Sequence, residues 1–343
     1  MRHRTFLMFI LPSIIVMVLF IALPIVSVAY QSLFIEHEQQ MTAVETCDPF
    51  SCKTEMRVDA EAMQALRAAE PMGKFNGLGT YFNSSHLASN AVSALWASTA
   101  TWSEFGSGLM NLPLYKSIAF TLTYTFVVTP LVIIVGFFIA LGVNAIPSVI
   151  KGPVIFFSLL PMIVTPLIGG LVLFWMIDSN GIIGANLQRL LNDPGLTLKA
   201  SPTLTWTVLM VYGVWHSAPF SFIVYYAGLQ GVPKDTLESA MIDGASRWER
   251  VRHVVIPHLI PLTTFIALMQ LMDNFRVLEP IVSFSAEANA TSLSYLIYND
   301  LRGAETPLFG SAGATSMLTI FGVIVLLTPV LIRTWRDINR KSH

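Results

Sequence analysis

The chain contains 343 residues, of which 54% are hydrophobic and only 12% are charged, and its formal net charge is −1 at pH 7. Its mean hydropathy is +0.63. A water-soluble domain of this length does not need so apolar a composition to fill its core. These values therefore exclude an ordinary soluble protein and indicate a polytopic protein embedded in membrane lipid, with no nucleic-acid partner expected.

Uncharged stretches recur along the chain at lengths that fit membrane-spanning helices. A helix needs about 20 apolar residues to cross the hydrocarbon core of a bilayer. The sequence predicts an all-α polytopic membrane protein with about six transmembrane helices, at 5–34, 117–149, 154–177, 204–229, 259–282 and 311–332. This division gives an N-terminal part with the first helix (1–34), a long extracytoplasmic loop between the first two helices (35–116) and a core with five helices (117–343).

The first predicted span has to be distinguished from a secretory signal peptide. Arg2 and Arg4 precede an apolar run, and Ser27-Val28-Ala29 has the composition of a cleavage site. The apolar part of a signal peptide covers about 7–15 residues. The run in this chain continues without charge to about Phe34, so we expect a retained membrane anchor.

The loop at 35–116 is the one sizeable segment that we expect outside the membrane. Residues 59–69 and 90–102 have helix-forming compositions, and residues 75–79 have the composition of a turn. The segment is too small and too interrupted to predict an independent domain.

Cys47 and Cys52 are the only cysteines, and both fall in this loop, where thiols tend to oxidise. Asp48-Pro49 favours a turn that brings the two together. We expect a disulfide that closes a local turn, with two free thiols as the alternative.

Basic residues near the predicted span ends collect on one side of the membrane. With the N-terminus inside, this side contains both termini, Lys151 and the loop at 231–258. Lys and Arg near span ends mark the cytoplasmic side. We therefore expect both termini and the loop at 231–258 to face the cytoplasm.

The segment 236–261, TLESAMIDGASRWERVRHVVIPHLIP, is a polar, helix-forming island between two apolar runs. Residues 238–242 and 246–255 favour helix, and Gly244 lies between them at the least costly position for a bend. Asp243 and Ser246 are candidates to cap the second helix, and Pro257 is expected to end it where the next span begins. The pattern predicts two short helices at an angle, exposed to a partner outside the membrane.

The same residues carry a family resemblance. Glu238-Ser239-Ala240, Asp243-Gly244-Ala245 and Ile256-Pro257 resemble the E-A-A-x-x-x-G…I-x-L-P signature of permease subunits of binding-protein-dependent ABC importers, of the maltose, glycerol-phosphate and trehalose group. Ser239 replaces the middle alanine. Further similar stretches are Trp215 with Pro219-Phe220, 228–233, 274–276 and 290–298. The resemblance extends from about residue 116 to the C-terminus and leaves out the long outer loop.

The resemblance implies a type I ABC importer permease fold and a transport subunit that forms the translocation pathway by alternating access. It implies a second permease subunit, two ATPase subunits and an extracytoplasmic solute-binding protein, in a bacterial inner (cytoplasmic) membrane. A sugar or related polyol is the expected solute. The residues that it assigns to ATPase coupling are Glu238, Ser239, Ala240, Asp243, Gly244, Ala245 and Arg247.

The sequence contains no G-x-x-x-x-G-K-[ST] stretch that would hold nucleotide phosphates. We therefore expect no catalytic residues and no cofactor on this chain, with ATP and Mg bound by the partner ATPase subunits. The seven histidines lack metal-ligand spacing, so no metal site is expected and His216 is interpreted as a hydrogen-bonded packing residue. The alternative function is an ion-coupled secondary transporter, which would need a titratable intramembrane carboxylate and typically an internal repeat.

Asp273, Arg276 and Glu279 form the densest charge within a predicted span. Their spacing of three predicts one broad helical face, on which Arg276 can pair with either carboxylate. Such residues normally face a bundle interior or a wet cavity. A structural ion-pair network and a translocation pathway both remain open, with Trp215 and Asn274 as further pathway candidates. Arg276 leaves room for an acidic sugar or a phosphorylated polyol.

Overall fold

The computed structural model describes residues 2–48, 51–303 and 307–341, and these residues are mostly helical. The chain divides into two compact units. The first unit contains the residues up to 115 together with 296–320, and the second contains 116–295 together with the residues from 321 onward. Residues 296–320 thus group with the N-terminal part of the chain.

The elements follow in chain order. Up to residue 112 they are α1 (Arg2–Met17), a π-helical turn (Val18–Ala22), α2 (Leu23–Gln31), β1 (Phe34–Ile35), β2 (Met41–Asp48), β3 (Ser51–Val58), α3 (Ala60–Ala69), β4 (Lys74–Phe75), α4 (Gly79–Phe82), α5 (Ser89–Ser98) and α6 (Trp102–Leu109). They continue with α7 (Pro113–Ala145), α8 (Ser148–Ile163), α9 (Pro166–Met176), α10 (Ile182–Leu191), α11 (Pro202–Gln230), α12 (Lys234–Ile242), α13 (Arg247–Arg250), a second π-helical turn (Val251–Val255), α14 (Ile256–Phe275), α15 (Glu279–Ser283), α16 (Leu293–Arg302) and α17 (Phe309–Lys341).

Five helices in the described part of the chain are long and apolar enough to cross a membrane. They are Met8–Gln31, Pro113–Ala145, Pro202–Gln230, Arg247–Phe275 and Phe309–Arg336. The bent pair α8 and α9 brings the number to six if it is counted as one span. The predicted polytopic helical fold with about six spans is confirmed.

The third predicted span, 154–177, is not one straight helix. α8 and α9 meet at an angle of 93°, and Val164 and Thr165 between them have extended backbones. Thr165 precedes Pro166, and the residue before a proline is pushed out of the helical region by the proline ring. The bend therefore follows from local sterics that a hydropathy profile does not register.

The fifth predicted span, 259–282, ends earlier than expected. α14 stops at Phe275, and Glu279 begins the separate short helix α15. A continuing helix would place the ring of Pro280 against the carbonyl of Arg276, four residues earlier, and Pro280 has no N–H to donate to it. Arg276 accordingly leaves the helical region. The prediction that Asp273, Arg276 and Glu279 share one helical face is wrong.

Pro257 does not end the second helix of the polar loop, contrary to the prediction. Arg247–Phe275 runs as one helix, and a π-helical turn, Val251–Val255, ends two residues before Pro257. Pro24 follows the other π-helical turn in the same way. A π-turn spaces the backbone more widely than an α-turn, so it gives the proline ring room that a regular α-helix would not provide.

The second unit has two apolar clusters. One contains Phe120, Leu209 and Ile281, and the other contains Phe222 and Ile266. The outward faces of the spans remain apolar and exposed, as expected for helices surrounded by lipid. Inside the bundle, the buried amide of Asn274 donates to the Thr129 hydroxyl at 3.0 Å.

The segment between the first helix and α7 contains strands as well as helices. The predicted helix at 59–69 is confirmed as α3. The predicted helix at 90–102 is present as α5 but ends at Ser98, and a second helix, α6, begins at Trp102. β2 and β3 form an antiparallel hairpin, which the sequence did not predict, and its register pairs Cys47 with Cys52. The side chains of both cysteines lie outside the described residues, so the expected disulfide stays a prediction.

Candidate functional site

The predicted coupling loop, 231–258, begins with the exposed helix α12. Leu237 anchors this helix to the bundle by packing against the apolar cluster around Phe222. Glu238 and Ser239 are exposed. The Ser239 hydroxyl donates to the carbonyl of Asp235 at 2.8 Å, so the serine that replaces the alanine of the signature has its hydrogen bond within the helix.

A Schellman turn ends α12 at the predicted bend. The N–H of Ala245 donates to the carbonyl of Ala240 at 3.0 Å, and the N–H of Gly244 donates to that of Met241 at 3.1 Å. This motif needs a left-handed residue after the cap, a position that favours glycine. Gly244 has φ of +79°, and a Cβ added to it would meet no atom within 4 Å. Glycine is therefore favoured at position 244 because of the left-handed backbone there, and not because neighbouring atoms of this chain leave no room for a side chain.

A capping box begins the second helix of the loop. The Ser246 hydroxyl accepts from the N–H of Glu249 at 3.3 Å, and the Glu249 carboxylate accepts from the N–H of Ser246 at 2.7 Å. The two bonds satisfy N–H groups that a helix start leaves open. Ser246 is thus a cap of this helix as predicted, whereas Asp243 is the C-cap residue that follows α12 and does not cap α13.

Apolar side chains stand exposed on this polar loop. Ile242 is 87% exposed, Trp248 is 58% exposed and Met241 is 50% exposed. Arg247 is exposed next to Trp248. The sequence interpretation missed these apolar residues because it treated the loop as a charged island. The signal was available, since large apolar residues on both sides of a glycine bend between polar neighbours indicate a contact surface.

Asp273 and Arg276 form an ion pair at the other end of the same long helix. Arg276 Nη2 lies 3.2 Å from Asp273 Oδ1, and each side chain is 56% exposed. Glu279 is also exposed, on α15, and it forms no ion pair with Arg276 in the described structure. The charges therefore do not form the buried three-residue network that the sequence allowed.

The remaining pathway candidates separate into exposed and buried positions. Trp215 is 49% exposed, and its ring packs against Tyr212, with centroids 5.9 Å apart. Asn274 is 5% exposed and ties α14 to α7 through Thr129. His216 stacks on Tyr212 with centroids 5.9 Å apart, and its Nδ1 is buried without a hydrogen-bond partner. It packs against an aromatic neighbour, as predicted.

Within the described residues, no group of three or more His, Cys, Asp or Glu side chains is arranged to hold a metal ion. The candidate site has two parts: the exposed loop of α12 and α13 at the beginning of the helix Arg247–Phe275, and the ion pair of Asp273 and Arg276 at its end.

Known proteins resemble this chain in sequence and in fold. Residues 107–337 match the family described as binding-protein-dependent transport system inner membrane component. A trehalose transport system permease protein of Mycobacterium tuberculosis is 31% identical over 128 residues, which covers 37% of this chain and 40% of that relative. The sn-glycerol-3-phosphate transport system permease protein of Yersinia pestis is 27% identical over 256 residues, which covers 69% of this chain and 85% of the relative.

A solved structure extends the similarity in fold. It is the crystal structure of a bacterial ABC transporter involved in the import of the acidic polysaccharide alginate, and it matches with a TM-score of 0.66 at 18% identity. The match covers 98% of this chain and 96% of that chain. It therefore includes most of the segment 35–116, which the sequence resemblance left out.

Proposed function

This chain belongs to the family of binding-protein-dependent transport system inner membrane components, and on that premise we propose that it is the pathway-forming subunit of an ATP-driven importer for a sugar or related polyol. It works beside a second permease subunit, two ATPase subunits that bind ATP and Mg, and an extracytoplasmic solute-binding protein. Both of its termini face the cytoplasm. It contributes no bond chemistry of its own.

The observation that carries this proposal is the loop formed by α12, Gly244 and α13. Leu237 packs against the bundle, while Ile242 and Trp248 are largely exposed. Exposed apolar side chains with polar neighbours are typical of protein contact sites. Because the chain belongs to this family, we infer that the partner at this surface is a cytoplasmic ATPase subunit.

The geometry also supports a route for the motion. The Schellman turn and the capping box fix the loop at both sides of Gly244, so the loop moves as a unit. Arg247–Phe275 is one helix of 29 residues, which corresponds to about 43 Å at 1.5 Å per residue. When ATP closes the ATPase pair, the loop is displaced. The long helix transmits this displacement to Asp273 and Arg276.

The solute class rests on the relatives and on the charged end of that helix. The named relatives transport trehalose and sn-glycerol-3-phosphate, a neutral sugar and an anionic polyol. Arg276, half exposed beside Asp273, offers a guanidinium to an acidic group, because Arg binds carboxylate and phosphate through paired N–H donors. Asp273, Arg276, Glu279 and Trp215 are the side chains that we place along the pathway.

Reconstitution tests this function. The purified complex in vesicles, with the solute-binding protein on the outside, is expected to take up solute only when ATP and the binding protein are both present. A protonophore or a sodium ionophore should leave that uptake unchanged. Uptake that follows an ion gradient and needs no ATP would support the secondary transporter instead.

A further inference from the structure

The helical hairpin formed by α5 and α6 differs in composition from the rest of the outer segment. Residues 89–112 contain a single charged residue, Glu104, whereas acidic and basic residues are frequent between 36 and 74. The Glu104 carboxylate accepts from the N–H of Ala100 at 3.2 Å, so it closes the turn between the helices. The hairpin therefore presents a surface almost without free charge.

Three aromatic rings pack together on this hairpin. Trp96 of α5 meets Trp102 and Phe105 of α6 with ring centroids 5.3 Å and 5.4 Å apart. Both contacts are edge-to-face, the arrangement that aromatic pairs prefer. Leu95 on α5 reaches the position where Gly108 on α6 lacks a side chain, so a Cβ there would lie 2.8 Å from its Cδ2 atom. The aromatic cluster of Trp96, Trp102 and Phe105 thus sits on a closely packed pair of helices.

The two indole rings remain largely exposed although they pack against each other. Trp102 is 78% exposed and Trp96 is 60% exposed, and together with Phe105 they border a shallow groove of about 190 Å³. Among the described residues, neither indole N–H donates to a protein acceptor. An apolar ring with an open N–H suits a place where hydrocarbon meets polar groups.

The chain ties the base of the hairpin to the start of a membrane span. The hydroxyl of Tyr115, in the first turn of α7, donates to the carbonyl of Leu87 at 2.9 Å, just before α5 begins. Lys116 is the last charged residue before the apolar run of α7. Only three residues, Met110 to Leu112, separate α6 from α7, a length of about 10 Å at most. Both ends of the hairpin are therefore held at the level where α7 enters the membrane.

We propose that the α5–α6 hairpin lies in the headgroup region of the bilayer, with Trp96 and Trp102 as its lipid anchors. Tryptophan is enriched at membrane–water interfaces, where its apolar ring and polar N–H are both accommodated. The partner is lipid, because the surface is apolar, uncharged and continuous along the chain with a helix that already crosses the bilayer. The hairpin thereby fixes the height of the outer segment above the membrane.

A carbohydrate could also stack on exposed aromatic rings, but apart from the two indole N–H groups the polar side chains that line the groove are only Thr99 and Thr101, and each already makes a hydrogen bond. The Thr99 hydroxyl donates to the carbonyl of Leu95 at 2.8 Å, and the Thr101 hydroxyl accepts from the N–H of Glu104 at 3.3 Å. Sugar sites need several converging hydrogen-bonding groups beside the ring. The geometry favours lipid.

Tryptophan fluorescence of the reconstituted complex tests the proposal. We compare the wild type with Trp102→Phe and with the double variant W96F/W102F, in vesicles whose lipids carry bromine either near the headgroup end or near the methyl end of the acyl chains. The emission lost in these variants is expected to be the part that shallow bromine quenches more strongly than deep bromine. Phenylalanine keeps an apolar ring at both positions, so folding should persist, and Trp102→Tyr is the substitute if the double variant is unstable.

Trp206→Phe is the matched control. The Trp206 ring packs on Phe120 with centroids 5.0 Å apart, and its N–H donates to the carbonyl of Asn289 at 3.0 Å, so its emission should respond little to brominated lipid. The proposal is overturned if the emission of Trp96 and Trp102 is insensitive to bromine at both depths and is quenched by acrylamide in the aqueous phase. It is equally overturned if that emission changes on addition of a soluble oligosaccharide and not with lipid.

Discussion

Gly244 sets the direction of the coupling loop through its backbone alone. Its φ of +79° lies in the left-handed region, and nothing in the chain crowds its Cα. A residue with a side chain would pay in conformational strain of roughly 1–2 kcal/mol there, and the side chain itself would project from the loop. The open space around Gly244 is the space that a docked partner would enter.

We therefore expect Gly244→Leu to uncouple ATP hydrolysis from uptake while membrane insertion stays normal. Gly244→Asn is the matched control, because asparagine tolerates positive φ better than leucine and is smaller. It should retain most of the uptake. The measurement is the ratio of solute transported to ATP hydrolysed in the reconstituted complex, and a well-expressed Gly244→Leu variant with normal uptake would refute the docking role.

Arg276 and Asn274 are two residues apart but have opposite surroundings. Half-exposed ion pairs such as Arg276 with Asp273 contribute about 0–1 kcal/mol to stability, whereas loss of a buried hydrogen bond such as that from Asn274 to Thr129 costs about 1–3 kcal/mol. Arg276→Ala should therefore change the transport rate or the preferred solute with little change in melting temperature. Asn274→Ala should lower the melting temperature.

Thermal melts and uptake assays on the same two purified complexes separate these roles. A large loss of thermal stability in Arg276→Ala would show that the pair of Asp273 and Arg276 has a structural role. If neither variant changed either quantity, both assignments would be wrong.

At the scale of elements, the β2–β3 hairpin can be deleted without separating the chain ends that flank it. Asp59 donates its backbone N–H to the carbonyl of Gln40 at 2.8 Å, so the chain enters and leaves the hairpin at adjacent points. Asp59 also caps α3, by accepting from the N–H of Ala62 at 3.0 Å. Excision of residues 41–58 can therefore leave α3 and its cap in place.

We expect joining Gln40 to Asp59 to preserve assembly of the complex and to reduce transport. The physical reason is that the described side chains of the hairpin, at 41–44, 54 and 56–58, are exposed and offer a surface to a soluble partner such as the solute-binding protein. Cys47→Ser with Cys52→Ser is the milder comparison, and a transport rate equal to the wild type after excision would show that the hairpin is dispensable. Affinity for the binding protein, measured on the same samples, shows whether the defect is in docking.

The elements that the sequence predicted have local causes. The coupling loop was found because a Schellman turn and a capping box each depend on residues within six positions, here Ala240 to Ala245 and Ser246 to Glu249. The bend between α8 and α9 also has a local cause, the proline that follows Thr165, but both arms are apolar and a hydropathy profile does not register it. The cluster of Trp96, Trp102 and Phe105 depends on the packing of two helices, which composition does not reveal.

At the scale of the whole molecule, the bent pair decides the membrane topology. α8 has 16 residues and α9 has 11, which correspond to about 24 Å and 17 Å. Neither reaches the roughly 30 Å of the hydrocarbon core, so the pair either crosses as one broken span or enters and returns on one side. With the N-terminus inside, only a crossing pair places the loop of α12 and α13 in the cytoplasm.

We therefore expect α8 and α9 to cross the membrane together, with residues 177–201 outside. In a background with Cys47→Ser and Cys52→Ser, a membrane-impermeant maleimide should label Gly195→Cys in intact cells. It should label Ser148→Cys and Lys234→Cys only after the membrane is opened. A re-entrant pair predicts instead that positions 148 and 195 behave alike and that position 234 differs from both, an outcome incompatible with a cytoplasmic coupling loop and an N-terminus on the same side.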